Sequence, residues 1–172
     1  GSNCGSAVMF FKSNYPNARI ICYEPCASTY KLLENNIDSV DGVETNQCGI
    51  WDKEGIFRLH YGPEQRTGSF TLNQWKTDFG GEVIKTRKLT QEIERLNLKS
   101  IDILKIDAET AELSIMYDLF GNKPEFMIHN IFVEYHGIVI RKRIVEDLNT
   151  IYDIHLCDIT SDQQGTLLLV RK

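Results

Sequence analysis

Five residues of this chain have side chains suited to moving a proton or gripping a polar ligand: Glu24, Asp107, Glu109, Glu134 and His136. They sit at or just past the ends of three apolar runs, "ARIICYEP", "SIDILKID" and "NIFVEYHG". If those runs are strands of an open parallel sheet, their carboxyl ends share one rim, where such folds bind ligands. A carboxylate or an imidazole there can accept the proton of a weak hydroxyl nucleophile. Asp107, Glu109, Glu134 and His136 are also hard-oxygen or imidazole ligand types. Nothing in their spacing demands a metal, and none is expected.

A second feature is the opening stretch "GSNCGS". Gly1 and Gly5 bracket a turn of the kind that lets a backbone approach a ligand closely, with helix N–H groups pointing at it. Glu24 follows Gly5 by 19 positions, near the offset at which a dinucleotide fold places its ribose-binding acid. Alone, G-x-x-x-G is a weak signal. Turn, strand and terminal acid together point to an adenosine-type cofactor.

The elements that must position these residues alternate. "SAVMFFKSN" has one apolar helix face and stops at Tyr15-Pro16. "ARIICYEP" is a short strand, and "STYKLLENNI" is a helix capped by Ser28 or Thr29. "VETNQCGI", "GIFRLHYG" and "EVIKTRKL" read as strands. Residues 62–82 between them lack a period and read as a long loop. "TQEIERLN" reads as a helix capped by Thr90. "SIDILKID" is a buried strand carrying Ile101, Ile103, Leu104 and Ile106. "AELSIMYDLFG" is a helix with Gly121 just past its end. "NIFVEYHG", "RKRIVEDLNTIY", "YDIHLCDI" and "GTLLLVRK" complete the pattern as strand, helix, strand and strand. Alternation of this kind implies a mostly parallel sheet. The link "TSDQQ" is too short for a parallel crossover, so the last two strands form an antiparallel hairpin.

The 172 residues fit one domain with a real core, and 42% hydrophobic with 25% charged residues is an ordinary globular composition. A net charge of −5 argues against a bulk grip on nucleic acid or anionic membrane. No apolar run approaches the ~18–20 residues of a membrane span. The five cysteines show no C-x-x-C pair and no zinc spacing, so they read as free thiols of a reducing cytoplasm. Trp51, Tyr61 and Trp75 read as packing residues. The basic clusters at 141–143 and 85–88 read as solvated faces.

In their order, "GSNCGSAVMFFKSNYPNARIICYEP", "CGIWDKEG", "IDILKIDAETAEL" and "IFVEYHG" resemble the FkbM-type S-adenosylmethionine-dependent methyltransferases over nearly the whole chain. The resemblance implies a Rossmann-like class I methyltransferase fold, with a mostly parallel sheet ending in an antiparallel strand. It implies methyl transfer to hydroxyls of sugars, glycans or polyketides, so the expected partner is a small-molecule or glycan acceptor. By position, Gly1, Asn3 and Gly5 would form the cofactor turn and Glu24 would take the ribose hydroxyls. Cys48, Gly49 and Ile50 would flank the adenine, with Asp52 just beyond, and Asp107 would lie near the methionine end and the acceptor. Asp107, Glu134 or His136 would serve as general base.

Two departures from the family pattern stand out. The pattern Lys-Ile-Asp-x-Glu-Gly-Ala-Glu has Thr110 at its glycine, a poor fit if the position needs a positive φ. No strand precedes the opening turn, so the expectation is a single domain over 1–172 that is incomplete at its N-terminal side. Two other readings compete: a non-catalytic nucleotide-binding module of the same fold, and an NAD-dependent oxidoreductase. The second is weakened because the turn lacks a full G-x-G-x-x-G.

Overall fold

A computed structural model describes residues 1–61, 70–71, 81–161 and 163–172, with the side chains of Tyr61, Phe70 and Thr71 excepted. Trp75, the Tyr61 side chain and most of the expected 62–82 loop lie outside the described residues. The chain divides into two compact units, Gly1–Arg87 and Lys88–Lys172. No helix among the described residues is long and apolar enough to cross a membrane. None of the five cysteines is in a disulfide.

The first unit starts with helix α1 (Ser6–Asn14), strand β1 (Ile20–Tyr23), helix α2 (Ala27–Ile37) and strand β2 (Val43–Asn46). β1 and β2 pair in parallel, with Ile20 opposite Val43 and Tyr23 opposite Asn46. Val8, Cys22, Leu33 and Ile37 form the buried cluster that joins the helices to this pair, so apolar spacing on α1 and α2 is what fixes them there. The unit continues with β3 (Gly49–Ile50), β4 (Gly55–Tyr61), β5 (Phe70–Thr71) and β6 (Gly81–Arg87), a second sheet in the order β3-β6-β4-β5. Here β4 and β6 are antiparallel and β3 joins β6 in parallel. The expected loop is therefore interrupted: Phe70–Thr71 pairs with β4, and Gly81 and Glu82 open β6.

The second unit contains α3 (Leu89–Arg95), β7 (Ser100–Ile106), α4 (Glu112–Asn122), β8 (Met127–His136), α5 (Ile138–Leu148), β9 (Tyr152–Ser161) and β10 (Gln164–Arg171). Its sheet runs β7-β8-β10-β9. β7 and β8 are parallel, β10 is antiparallel to both β8 and β9, and the expected C-terminal hairpin is present. From Ile131 onward, alternation along β8 buries Ile131, Val133 and Tyr135 on one face and turns Phe132, Glu134 and His136 to the other.

Several expectations need correction. Three sheets stand among the described residues, with parallel and antiparallel pairings mixed, where one mostly parallel sheet was expected. The physical reason is the β4–β6 antiparallel pairing, which builds a sheet of its own. Ile106 is buried, but Ile101, Ile103 and Leu104 are only half-buried, because β7 is an edge strand of its sheet. α2 begins before Ser28 and Thr29, with Cys26 at its N-cap. Lys88 caps α3, and Thr90 instead donates its hydroxyl to Asp118 of α4 at 2.8 Å. Lys88 also reaches the buried Asp118, at 3.2 Å, so it is more than a solvated charge. Gly121 lies inside α4, which ends at Asn122 with Lys123 as its C-cap. Trp51 packs edge-on against Phe57 with Lys53 over its ring, as a packing residue should.

Candidate functional site

Within the first unit, β1 ends at Tyr23 and hands the chain to Glu24, whose amide donates to the Asn46 carbonyl at 3.1 Å. Parallel pairing thus carries Glu24 and Asn46 to the same end of the two strands. The Glu24 carboxylate is 5% exposed. Its Oε2 accepts the Asn3 amide at 2.9 Å and its Oε1 the Cys26 amide at 3.0 Å. One side chain therefore braces both the opening turn and the start of α2. Ser2 completes the brace: its amide donates to the Tyr23 carbonyl and its hydroxyl accepts the Tyr23 amide, both at 3.0 Å.

The turn has the backbone that close approach requires. Asn3 has φ 48°, and its Oδ1 accepts the Cys4 amide at 2.7 Å. Gly5, at φ 94°, is the N-cap of α1, and a Cβ there would stand 3.0 Å from Leu33 Cδ1. Both conformation and space select glycine at that position. Gly1 is exposed at the start of the turn.

The third expected piece is in the same unit. Cys48 is buried and its amide donates to the Asn46 carbonyl, the oxygen that also receives Glu24. Gly49 is buried, with Pro25 Cβ 3.6 Å from where its own Cβ would be. Cys48, Gly49 and Ile50 are thereby held beside the Glu24-Pro25 corner. Asp52 has a buried Oδ1 with no hydrogen-bond partner among the described residues. Burial pushes the Glu24 carboxyl above its ordinary value. The Cys26 and Asn3 amides pull it back, and Glu82 adds to the rise.

The second unit holds a different constellation. β7 and β8 are parallel with Ile106 opposite Val133, so the residues beyond them, Asp107 and Glu134 with His136, emerge at one end of the sheet. Asp107 is paired with Lys105 at 2.9 Å. The chain then makes a strained turn: Glu109 has φ 48° and Thr110 φ 83°. The doubt about Thr110 was well founded, since this β-branched residue occupies the left-handed region. α4 follows at once. Its first residue, Glu112, is fully buried and reaches back so that Oε1 accepts the amides of Ala108 at 3.1 Å and Thr110 at 3.2 Å. That oxygen also lies 2.8 Å from His136 Nδ1.

His136 stands at the centre. With Nδ1 on Glu112, its Nε2 is 3.4 Å from Glu109 Oε2 and 3.9 Å from Glu134 Oε1. Gln164, opposite His136 on β10, donates to Glu134 Oε1 at 2.6 Å and has its Nε2 3.4 Å from His136 Nε2. Burial alone would lower the imidazole, but the Glu112 hydrogen bond and the charges of Glu112, Glu109 and Asp107 raise it above its ordinary value. Burial raises Glu109 to about 7; His136 opposes this, while Asp107, Glu112 and Glu134 add to it. Burial would also raise Asp107, but Lys105 and His136 outweigh it and hold that carboxyl below its usual range.

Asp107, Glu134 and His136 are thus gathered in one unit, and Gly1, Asn3, Gly5, Glu24, Cys48, Gly49, Ile50 and Asp52 belong to the other. Sequence reasoning missed Glu112 and Gln164. Glu112 had one usable signal, its place as the last acid of "KIDAETAE". Gln164 had none, because only the antiparallel register brings it to His136.

A glycine turn braced by a strand-end acid lies in the first unit, and an acid-histidine cluster at parallel strand ends lies in the second. The profile of the Methyltransferase FkbM domain matches residues 2–152, and the chain belongs to that family. It is 30% identical over 155 residues to a protein of Beauveria bassiana named Methyltransferase 1, covering 78% of this chain and 61% of that protein. It is 27% identical over 165 residues to Methyltransferase sdnD of Sordaria araneosa, covering 78% of this chain and 63% of that one. A weaker likeness, 26% over 155 residues, is to the AMB antimetabolite synthetase AmbE of Pseudomonas aeruginosa, covering 69% of this chain and 7% of that protein. The chain therefore spans about three fifths of the length of the two fungal relatives.

Proposed function

We propose that the protein transfers a methyl group from S-adenosylmethionine to a hydroxyl of a sugar, glycan or polyketide. The observation that carries this reading is the buried Glu24 carboxylate, which joins the Gly1–Gly5 turn to the α2 start while retaining lone pairs for a ligand's hydroxyls. Charge-assisted bonds of that kind contribute ~1.5–3 kcal/mol each. The residues fit the cofactor on a second count. Asp52 Oδ1 is a buried acceptor without a donor among the described residues, suited to an exocyclic amine. Cys48, Gly49 and Ile50 supply an apolar, closely packed edge for the adenine ring.

When bound, this cofactor brings a methyl group already activated on a sulfonium. The protein's own work is alignment and proton removal. Holding the acceptor oxygen in line is worth up to ~7–11 kcal/mol in favourable systems. Asp107, Glu134 or His136 would receive the proton that the acceptor oxygen gives up as it takes the methyl carbon from the sulfur, whose bond to that carbon breaks. All three stand at the carboxyl ends of two parallel strands, and Glu112 fixes the His136 ring through Nδ1.

Calorimetric titration with S-adenosylmethionine and with NAD tests the cofactor. The first is expected to bind and the second not to. Glu24→Ala should weaken binding at least tenfold in a variant that still melts cooperatively, and unchanged affinity would remove Glu24 from the site. Turnover on a panel of sugar and polyketide hydroxyls, read as released demethylated cofactor, tests the chemistry. His136→Ala, Glu134→Gln and Asp107→Asn should leave cofactor binding intact, and loss of the base should lower turnover by roughly 10²–10⁴-fold. Full turnover in all three would leave alignment alone to carry the reaction.

A further inference from the structure

We propose that Asp107, Glu109 and His136 form a site for a divalent first-row cation such as Mn²⁺. One ligand atom from each of the three lies within 4.8 Å of the others. Metal–ligand bonds of about 2.0–2.2 Å place neighbouring ligand atoms about 3–4 Å apart, and His136 Nε2 is already 3.4 Å from Glu109 Oε2. Two carboxylates and one imidazole suit a cation between the hard and borderline classes.

The groups behind the three ligands support the assignment independently. Glu112 is fully buried and holds His136 through Nδ1, which leaves Nε2 as the coordinating nitrogen. A carboxylate behind a histidine is the usual support of a ligating imidazole. The other oxygen of that carboxylate, Oε2, is buried without a hydrogen-bond partner among the described residues. A buried acceptor oxygen without a donor is costly.

Charge points the same way. The carboxylates of Asp107, Glu109, Glu112 and Glu134 surround one imidazole, with Lys105 as the further cationic partner on Asp107. Among the described residues, these ion pairs set four carboxylates against the imidazole and Lys105. Three ligands leave coordination positions for an acceptor oxygen, whose proton a cation would loosen. Glu134 lies outside the three ligands and is held by Gln164, so it is placed to receive that proton. This catalytic use rests on the methyl-transfer reading above; the binding of the cation does not.

The test is Mn²⁺ binding to the whole chain, followed by the loss of the free-ion paramagnetic resonance signal, without cofactor or acceptor. One saturable ion per chain is expected. Asp107→Asn and Glu109→Gln should each weaken it at least tenfold while the thermal melt stays cooperative. His136→Gln should do the same; if it melts early, the two carboxylate variants, whose side chains are part-exposed, decide the matter. Absence of saturable binding of both Mn²⁺ and Zn²⁺ to the wild type overturns the site. So does binding that survives unchanged in Asp107→Asn and Glu109→Gln. Saturable binding in a protein that fails to take up S-adenosylmethionine would overturn the methyl-transfer reading and leave this site standing.

Discussion

Two acidic centres in this molecule solve opposite problems. Glu24 is one carboxylate among backbone amides, with both oxygens engaged by N–H donors and Glu82 as its acidic neighbour. The 107–112 turn and the end of β8 gather four carboxylates around a single imidazole. The first arrangement is suited to holding neutral hydroxyl donors in a fixed place. The second stores negative charge that only a proton or a cation relieves. On the proposed function the difference would separate binding from chemistry: Glu24 is held by amides, while the other acids crowd one imidazole.

The comparison breaks most visibly at Glu112. Glu112→Ala strips the acceptor from the amides of Ala108 and Thr110 and from His136 Nδ1. Removing one partner of a buried, hydrogen-bonded charge typically costs about 3–5 kcal/mol. A denaturant melt in the presence of a chelator should show a loss of that order, while Glu112→Gln, which keeps an acceptor oxygen, should lose less. A loss under about 1 kcal/mol would mean that burying this carboxylate cost nearly as much as its bonds return. The Glu24 brace involves two amides and no imidazole, so Glu24→Ala should be the milder change in the same melt.

These two acids were unequally legible in the sequence. Glu24 stood out because a strand-end acid at a set distance from a glycine turn is a pattern along the chain. Glu112 looked like an ordinary acid in a helix's first turn, favoured by the dipole. Its role depends on a side chain that turns back over two residues and meets a strand 24 positions away. The same contrast runs through the fold. Strand and helix alternation and the final hairpin were readable from apolar spacing and link length. The split into separate sheets was not, because it depends on which distant strands pair. Thr90 as cap and Gly121 as helix end failed for a related reason: Thr90 is drawn into the helix by Asp118, and Gly121 is carried within α4.

A smaller effect sharpens the account of Glu24. Its carboxyl is raised in the free protein, chiefly by burial. Hydroxyl donors from a ligand favour the ionised form, so binding should release a proton at pH values near the raised pKa. S-adenosylmethionine affinity should therefore rise with pH through that value and level off above it. In Glu24→Gln this segment of the profile should be flat. Glu82 is the charged side chain bearing on the carboxyl among the described residues, and a Glu82→Gln control separates its contribution. For the unliganded fold the sign is reversed. The carboxyl's contribution to stability is full below its unfolded value and is lost as pH rises through the folded one. Affinity that falls with pH across this range would show that the protonated form is the one that binds.

The least change comes from Thr110, and it tests whether the second centre is held under strain. Thr110 sits at φ 83° directly before the Ala111-Glu112 start of α4, and Glu109 beside it is at φ 48°. A non-glycine residue held in this region costs of order 1–3 kcal/mol. Glycine relieves it but gives back roughly 0.4–1 kcal/mol through the greater freedom of the unfolded chain. Thr110→Gly keeps the amide that donates to Glu112 Oε1, so the brace survives the substitution. The expected net gain is about 1 kcal/mol, a rise in melting temperature of roughly 2–4 °C for a chain of this size. Thr110→Ala retains the strain and should show no such gain. If glycine destabilises and alanine does not, the threonine side chain earns its place through contacts, and the positive φ is no burden. If glycine stabilises as expected, the turn presenting Glu109 to His136 is a strained one, and the crowding of charge at the second centre is maintained against the preference of its own backbone.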